Sequence, residues 1–331
     1  IVALAGDRQS GFPGFNRAIS AQRPIGSLIK PLLLYGLIES GQTLATVVED
    51  RPVRIRQSDG KLWMPQNFDQ KLHGTMTLYR AFIRSYNLPF VRLGVDHNGL
   101  KSLVANLQRI HLLKQQTIYP SLLLGSMPMT PLEVSQMFPV IANAGYFAPL
   151  TTIREVLDAR GQVLSRVPVA SQELFDRSSM LQVIRAMIGV SEEGTAGYLK
   201  TRFSARTYAG KTGTTDDLRD SWFAGFGNRH LAVVWLGKDD NQPVGLTGSS
   251  GALRVWSDIM QRLDEPSISL APDPDLEWHY VDLKSGGISA ESCDDSALLP
   301  FTQGQVPDKR ASCTGNIINR GLDWLEQQFQ H

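Results

Sequence analysis

The sequence predicts an α+β fold in which helices cover an antiparallel sheet. Three observations carry that prediction. Apolar residues recur at helical spacing from Ser27 to Ile38 and again over 177–190. Thr130-Pro131-Leu132-Glu133 combines a capping box with proline at the first helical position, which marks a helix start. From Arg206 onward the pattern changes to three short strands in succession, a meander with no helices between them.

Taken in order, residues 1–24 read as a strand end followed by a Gly/Pro-rich turn, Gly11-Phe12-Pro13-Gly14. Because Ile1 reads as mid-strand, the chain is expected to be a fragment, and a missing signal or anchor says nothing about its parent. The helix from Ser27 ends ahead of Gly41. Residues 50–73 read as loop, with Asp59-Gly60 as a turn. Thr75 to Ser85 has a helix pattern that stops before Pro89, since a residue ahead of proline avoids the helical region. The helix at Pro131 runs to about Asn143, with Gly145 as terminator. Over 148–168, two strand-like arms flank Ala159-Arg160-Gly161. The meander comprises Arg206–Thr214, Ser221–Phe226 and His230–Leu236, with Gly227-Asn228 turning the last two arms. Trp222, Phe223 and Phe226 are expected in the core beside it. A last helix covers about Ala252–Leu263. The proline-rich stretch Glu265–Asp275 divides the chain into 1–264 and a small extension, 265–331.

The chain has 331 residues, 42% hydrophobic and 20% charged, enough for one large or two medium domains. A net charge of +1 argues against nucleic acid or a strongly anionic partner. No apolar run approaches the roughly 20 residues of a spanning helix; Leu32–Ile38 and Ser121–Gly125 are core-sized. Cys293 and Cys313 are either two unrelated thiols or one disulfide. The tail has few large apolar residues and needs a staple, so a bridge is expected, and with it an oxidising compartment.

Three motifs carry chemistry. Ser27-Leu28-Ile29-Lys30 is an S-x-x-K. Pro31 follows, and proline is tolerated only in a helix's first turn, so the helix starts close to Ser27. Ser27 then sits at the positive end of the helix with its N–H as a candidate oxyanion donor. Lys30 lies on the same face, about 5–6 Å away at Cβ. A serine hydroxyl needs an adjacent base, and a lysine serves if burial or a second cation lowers its pKa. The bland alternative is an N-cap serine beside a surface lysine. A second S-x-x-K, Ser58-Asp59-Gly60-Lys61, crosses a turn with no helix to present it. In Ser85-Tyr86-Asn87, Ser85 would relay a proton to the leaving amine, and Asn87 would bond Lys30 and a substrate carbonyl; both are also ordinary helix-end residues. Lys211-Thr212-Gly213-Thr214 ends a strand, and glycine within such a run marks close backbone approach. A peptide laid along that edge would find Thr212, Thr214 and Lys211 ready for a carboxylate, and the Thr214 N–H for an oxyanion. The alternative is an edge strand with a solubilising lysine.

Other chemistries lack support. Six histidines show no H-x-x-x-H pairing, there is no G-x-S-x-G elbow, and no Gly-rich phosphate loop occurs. Trp63 sits in a loop, where it lines a groove or packs at its rim or in the core.

Together the motifs resemble the transpeptidase domain of class A penicillin-binding proteins. The likeness covers about residues 1–264. Besides the three motifs it includes Phe15-Asn16-Arg17-Ala18, Arg23-Pro24-Ile25-Gly26, Pro65-Gln66-Asn67, Leu124-Gly125, Gly194-Thr195-Ala196 and Trp222-Phe223-Ala224-Gly225. Lys238-Asp239-Asp240-Asn241-Gln242-Pro243 and the two-cysteine tail resemble the Gram-negative 1B subgroup. The family often has Gly-Thr-Gly at 194–196 and Asp or Met at Tyr86. The resemblance implies that Ser27 attacks the D-Ala-D-Ala bond of a peptidoglycan stem peptide and passes the acyl group to a neighbouring stem's amine. β-Lactams would acylate Ser27 instead. It implies no cofactor or metal, and a parent with a glycosyltransferase domain and a membrane helix, on the periplasmic face of the inner membrane. An outer-membrane lipoprotein activator and cell-division proteins are the implied protein partners. The rivals are a D,D-carboxypeptidase or β-lactamase, where water takes the acyl group, and a non-catalytic β-lactam sensor.

Overall fold

The strands Ala209–Thr214, Ser221–Phe226 and Leu231–Leu236 pair antiparallel in that order, with Lys211 opposite Ala224 and Trp222 opposite Trp235. The structure is a computed structural model that describes residues 1–7, 14–57, 60–113, 117–168, 170–270 and 272–313. Every residue of the middle strand is buried, so both faces of the sheet are covered. Among the described residues the helices are α1 (Arg17–Ser20), α2 (Lys30–Glu39), α3 (Leu78–Ile83), α4 (Leu88–Asp96), α5 (Gly99–Arg109), α6 (Pro131–Ala142), α7 (Arg177–Glu192), α8 (Tyr198–Arg202) and α9 (Ala252–Arg262).

α2 is buried on all sides from Lys30 to Ile38 and packs among α4, α5 and α7. A helix that is apolar all round has no face for water and belongs at the centre of a core. α7 in turn packs on Ala209–Thr214, so it couples that strand to α2 and α3. α9 closes the sheet through Trp256, whose Nε1 donates to Ala232 O at 3.1 Å. Trp222, Phe223 and Phe226 lie in the core as expected. The capping box of α6 is complete: Thr130 N donates to Glu133 Oε2 at 2.8 Å, and Glu133 N to Thr130 Oγ1 at 3.2 Å. That helix closes where Gly145 N returns to Val140 O at 2.8 Å. Glu155–Leu157 and Val163–Arg166 pair around the expected turn.

The structure corrects several local expectations, the loop reading of 50–73 among them: Ile55–Arg56 pairs antiparallel with Leu62–Trp63. Ile1–Gly6 is not a strand: Gly6 O accepts from Arg17 N at 3.2 Å in place of a ladder bond. Of the turn Gly11–Gly14, residues 11–13 lie outside the described residues. Thr75 and Thr77 are in a strand paired with Val47–Asp50, where branched side chains fit the pleat; α3 starts only at Leu78, with Thr77 as its cap. Pro89 does not merely stop a helix. It sits in the first turn of α4, where a missing N–H costs no bond, and α4 and α5 were not anticipated. Finally, Leu276–Asp282 and Ser296–Thr302 form an antiparallel hairpin in the tail. It carries Val281, Leu299 and Phe301 into the main core, and Arg185 Nε on α7 donates to Leu298 O at 3.0 Å. Cys293 and Cys313 are joined by a disulfide across a sequence separation of 20.

Candidate active site

Ser27 lies in a single 3₁₀ turn, Gly26–Ile29, that runs directly into α2. Lys30 N donates to Ser27 O, so one turn of backbone separates the Ser27 hydroxyl from the Lys30 amine. The turn is pressed against the Ala209–Thr214 strand. Gly26 has φ +56°, and a Cβ there would stand 2.8 Å from Thr214 O; a Cβ on Gly213 would stand 2.6 Å from Ile25 O. Both glycines are therefore needed for this approach, which brings the backbone of Thr214 beside Ser27. On the other side, Ile25 N and Gly26 N both donate to Gly125 O at 3.1 Å.

Beneath this turn two lysine amines are buried. Lys30 Nζ donates to Ser85 O at 2.7 Å, Tyr86 O at 2.9 Å and Asn87 Oδ1 at 2.8 Å, and reaches Ser85 Oγ at 3.4 Å. Lys211 Nζ donates to Ser85 Oγ at 2.8 Å and to Thr212 O at 3.2 Å. Ser85's hydroxyl thus stands between the two amines. Burial, and secondarily the charge of Lys211, holds Lys30 well below the usual lysine range; burial lowers Lys211 to about 7. For Lys30 two effects oppose. Three carbonyl oxygens suit an ammonium, while loss of water disfavours it. Burial is complete, so the lowering prevails, and the free amine is favoured over what an exposed lysine would show.

Ser85 is held in a left-handed conformation, φ 60°, as the first residue past the C-cap of α3. Ser85 N donates to Phe82 O and Tyr86 N to Ala81 O, each at 3.0 Å, the pair of bonds that closes a helix in a Schellman motif. Glycine is usual there, and serine accepts strain to aim its hydroxyl at the amines.

Over these groups runs a groove of about 1250 Å³ lined by Ser27, Trp63, Ser85, Asn87, Thr212 and Thr214, among others. Trp63 is thereby assigned to the groove. Lys30 and Lys211 lie below its floor, so Lys211 would act on a bound carboxylate by its field, with the threonine hydroxyls above it. Thr212 Oγ1 is 2.7 Å from Thr195 Oγ1, and Thr214 Oγ1 accepts from Gly248 N at 3.0 Å. Thr195 also lines the groove, and its carbonyl accepts from Ser249 Oγ at 2.6 Å. Neither residue had been given a role; Gly194-Thr195-Ala196 was the only signal, and nothing in sequence marks Ser249. Of the second S-x-x-K, Ser58 and Asp59 lie outside the described residues.

A family model described as penicillin binding protein transpeptidase domain matches residues 1–261. The chain is 38% identical over 335 residues to penicillin-binding protein 1B of Vibrio cholerae, covering 100% of this chain and 42% of that protein. It thus spans less than half of that relative's length. The solved structure of penicillin-binding protein 1A from Haemophilus influenzae superposes with a TM-score of 0.81 at 24% identity, covering 90% of this chain and 50% of that one. A penicillin-binding protein from Mycobacterium tuberculosis, solved in complex with penicillin V, gives a TM-score of 0.65 at 21% identity over 79% of this chain and 74% of its own. At those identities the two structures show the fold alone.

Proposed function

The chain belongs to the penicillin-binding protein transpeptidase family, and from that premise we propose that it is a serine D,D-transpeptidase that cross-links peptidoglycan stem peptides. The observation that carries the reading is the Ser85 hydroxyl set between two buried amines beneath a groove that Ser27 lines.

Ser27 Oγ attacks the carbonyl of the D-Ala-D-Ala bond while its proton passes to neutral Lys30. The N–H groups of Ser27 and Thr214 stabilise the oxyanion. Ser85, hydrogen-bonded to both amines, returns a proton to the leaving D-Ala nitrogen. Thr212 and Thr214 hold the terminal carboxylate, Gly213 keeps the strand close, and Lys211 supplies the positive field. Asn87 fixes Lys30 and turns toward a substrate amide. An amine of a neighbouring stem then attacks the acyl-Ser27 ester, and the proton path runs in reverse. A β-lactam, whose amide lies in a ring, acylates Ser27 and leaves no departing fragment to make room for the amine.

Residues 1–264 constitute this domain in the proposal, with 265–331 as its disulfide-stapled extension. The parent protein is proposed to be bifunctional, with a glycosyltransferase domain and a membrane anchor that place this domain on the periplasmic face of the inner membrane. A lipoprotein activator of the outer membrane and cell-division proteins are its proposed partners.

Intact mass spectrometry with a β-lactam, followed over hours, tests the assignment. One adduct that persists, and disappears in Ser27→Ala, is expected; labelling of Ser27→Ala would sink it. Rapid loss of the adduct would indicate a β-lactamase. With stem peptides, cross-linked product is expected, hydrolysis alone would indicate a carboxypeptidase, and an adduct with neither reaction a sensor.

A further inference from the structure

Asn87 stands at the N-cap of α4, where an asparagine ordinarily turns its carbonyl oxygen onto the first N–H groups of its own helix. Here its side chain makes no cap bond. Asn87 Oδ1 accepts from Lys30 Nζ at 2.8 Å, and Nδ2 donates to Gln66 O at 2.9 Å. The N–H groups at the entry to the helix are held from elsewhere in the chain. Asn67 Oδ1 accepts from Asn87 N at 2.8 Å and from Leu88 N at 3.3 Å. Asn67 is locked in turn: its Nδ2 donates to Asp50 Oδ1 at 2.9 Å, to Asp50 Oδ2 at 2.8 Å and to Lys71 O at 2.8 Å. Asp50 is only 2% exposed and also accepts from His73 N at 2.8 Å. Rotating the Asn67 amide by half a turn would set its oxygen against that carboxylate and its NH₂ against two N–H groups, so its orientation is fixed.

We infer that Asn67, held by Asp50, is a positioning residue: by accepting from the N–H groups of Asn87 and Leu88 it fixes the entry to α4 and so sets the Asn87 carboxamide on Lys30. This rests on the reading of Lys30 as the base of Ser27. Of the three close acceptors around Lys30, Ser85 O and Tyr86 O are backbone, and Asn87 Oδ1 alone is a side-chain atom. Without Asn67, the Asn87–Leu88 backbone loses its anchor, the Asn87 carboxamide shifts, and Lys30 loses the contact that sets its reach toward Ser27.

The test measures acylation by a fluorescent penicillin, with the covalent step resolved from non-covalent affinity, in variants whose folding is checked by thermal melts. Asn67→Ala is expected to slow the covalent step by about ten- to a hundredfold, the scale of a small displacement of a reacting group, with affinity little changed. Asn87→Ala should give the same loss, and the double variant no further loss, because both remove one contact. An exchange supplies the rescue. Asn67→Asp sets two carboxylates together and should be slow; adding Asp50→Asn restores the donor–acceptor pair between 67 and 50, though not the bond to Lys71 O, and should be faster than Asn67→Asp alone. The inference is overturned if Asn67→Ala costs the same factor in the Asn87→Ala background as in the parent, or if the exchanged pair is no faster than Asn67→Asp. An absence of any Ser27 adduct in the parent chain would instead remove the premise.

Discussion

Ser85 occupies a seat built for glycine, and that permits a test separating strain from chemistry. Ser85→Ala and Ser85→Gly both delete the hydroxyl between Lys30 and Lys211. Only Ser85→Gly also deletes the Cβ held at φ 60°. A Cβ in the left-handed region costs about 1–2 kcal/mol, and the greater freedom of glycine in the unfolded chain offsets about 0.4–1 kcal/mol of it. Ser85→Gly is therefore expected to be more stable than Ser85→Ala by about 0.5–1 kcal/mol, or about 1 °C in Tm for a chain of this size. Urea unfolding of the two variants reads the difference directly, since the lost hydrogen bonds cancel between them. Both should acylate with a β-lactam about 10²–10⁴ times more slowly than the parent, the usual worth of a positioned proton-transfer group. If Ser85→Ala matches or exceeds Ser85→Gly in stability, no strain is stored there. If either variant acylates near the parental rate, the hydroxyl is not on the proton path.

Two further outcomes follow from buried groups and the covalent staple. Lys211 is lowered to about 7 in the fold against 10.5 for an ordinary lysine, so between those values the unfolded chain binds the extra proton and stability should rise with pH. Urea unfolding of Lys211→Met across that window should show a shallower rise, part of which persists because Lys30 is lowered too; an unchanged slope would show that Lys211 is not neutral in the fold. Reducing Cys293–Cys313, which closes a separation of 20 residues, should cost about 3 kcal/mol in denaturant unfolding of the parent, and should do nothing to Cys293→Ser.

What could be read from sequence was what neighbouring residues decide among themselves. Pro31 set the start of the Ser27 helix because a ring without an N–H allows few positions. Thr130 and Glu133 announced α6 because both halves of the capping box lie within one turn. Thr75–Thr77 was misread because helical spacing downstream extends plausibly backward, and only pairing with Val47–Asp50, nearly thirty residues earlier, shows a strand. The hairpin of the tail is of the same kind: its apolar residues pay off only against α7, which no local pattern reveals.

The groups of the proposed site follow a different rule, and it explains why their motifs were visible while their assembly was not. Each stands where its local preference is refused. Ser85 takes a conformation that favours glycine, Asn87 sits at a cap without capping, and Lys30 and Lys211 are fully buried with no carboxylate partner among the described residues. A sequence reader assigns each of these residues its ordinary use, which is why capping and solubility were the competing explanations for all three motifs. Those ordinary uses fail only when residues far apart in the chain come together: Asn87 is 57 positions from Lys30, Lys211 is 126 from Ser85, and Asn67, which holds the Asn87 N–H, is 20 before it. A fold whose elements otherwise agree with their local signals concentrates its conflicts at the place where it does work. The refused preferences are then themselves evidence for the site, independent of the motifs: a strained serine, an idle cap and two uncharged-leaning lysines converge on one groove floor beside Ser27.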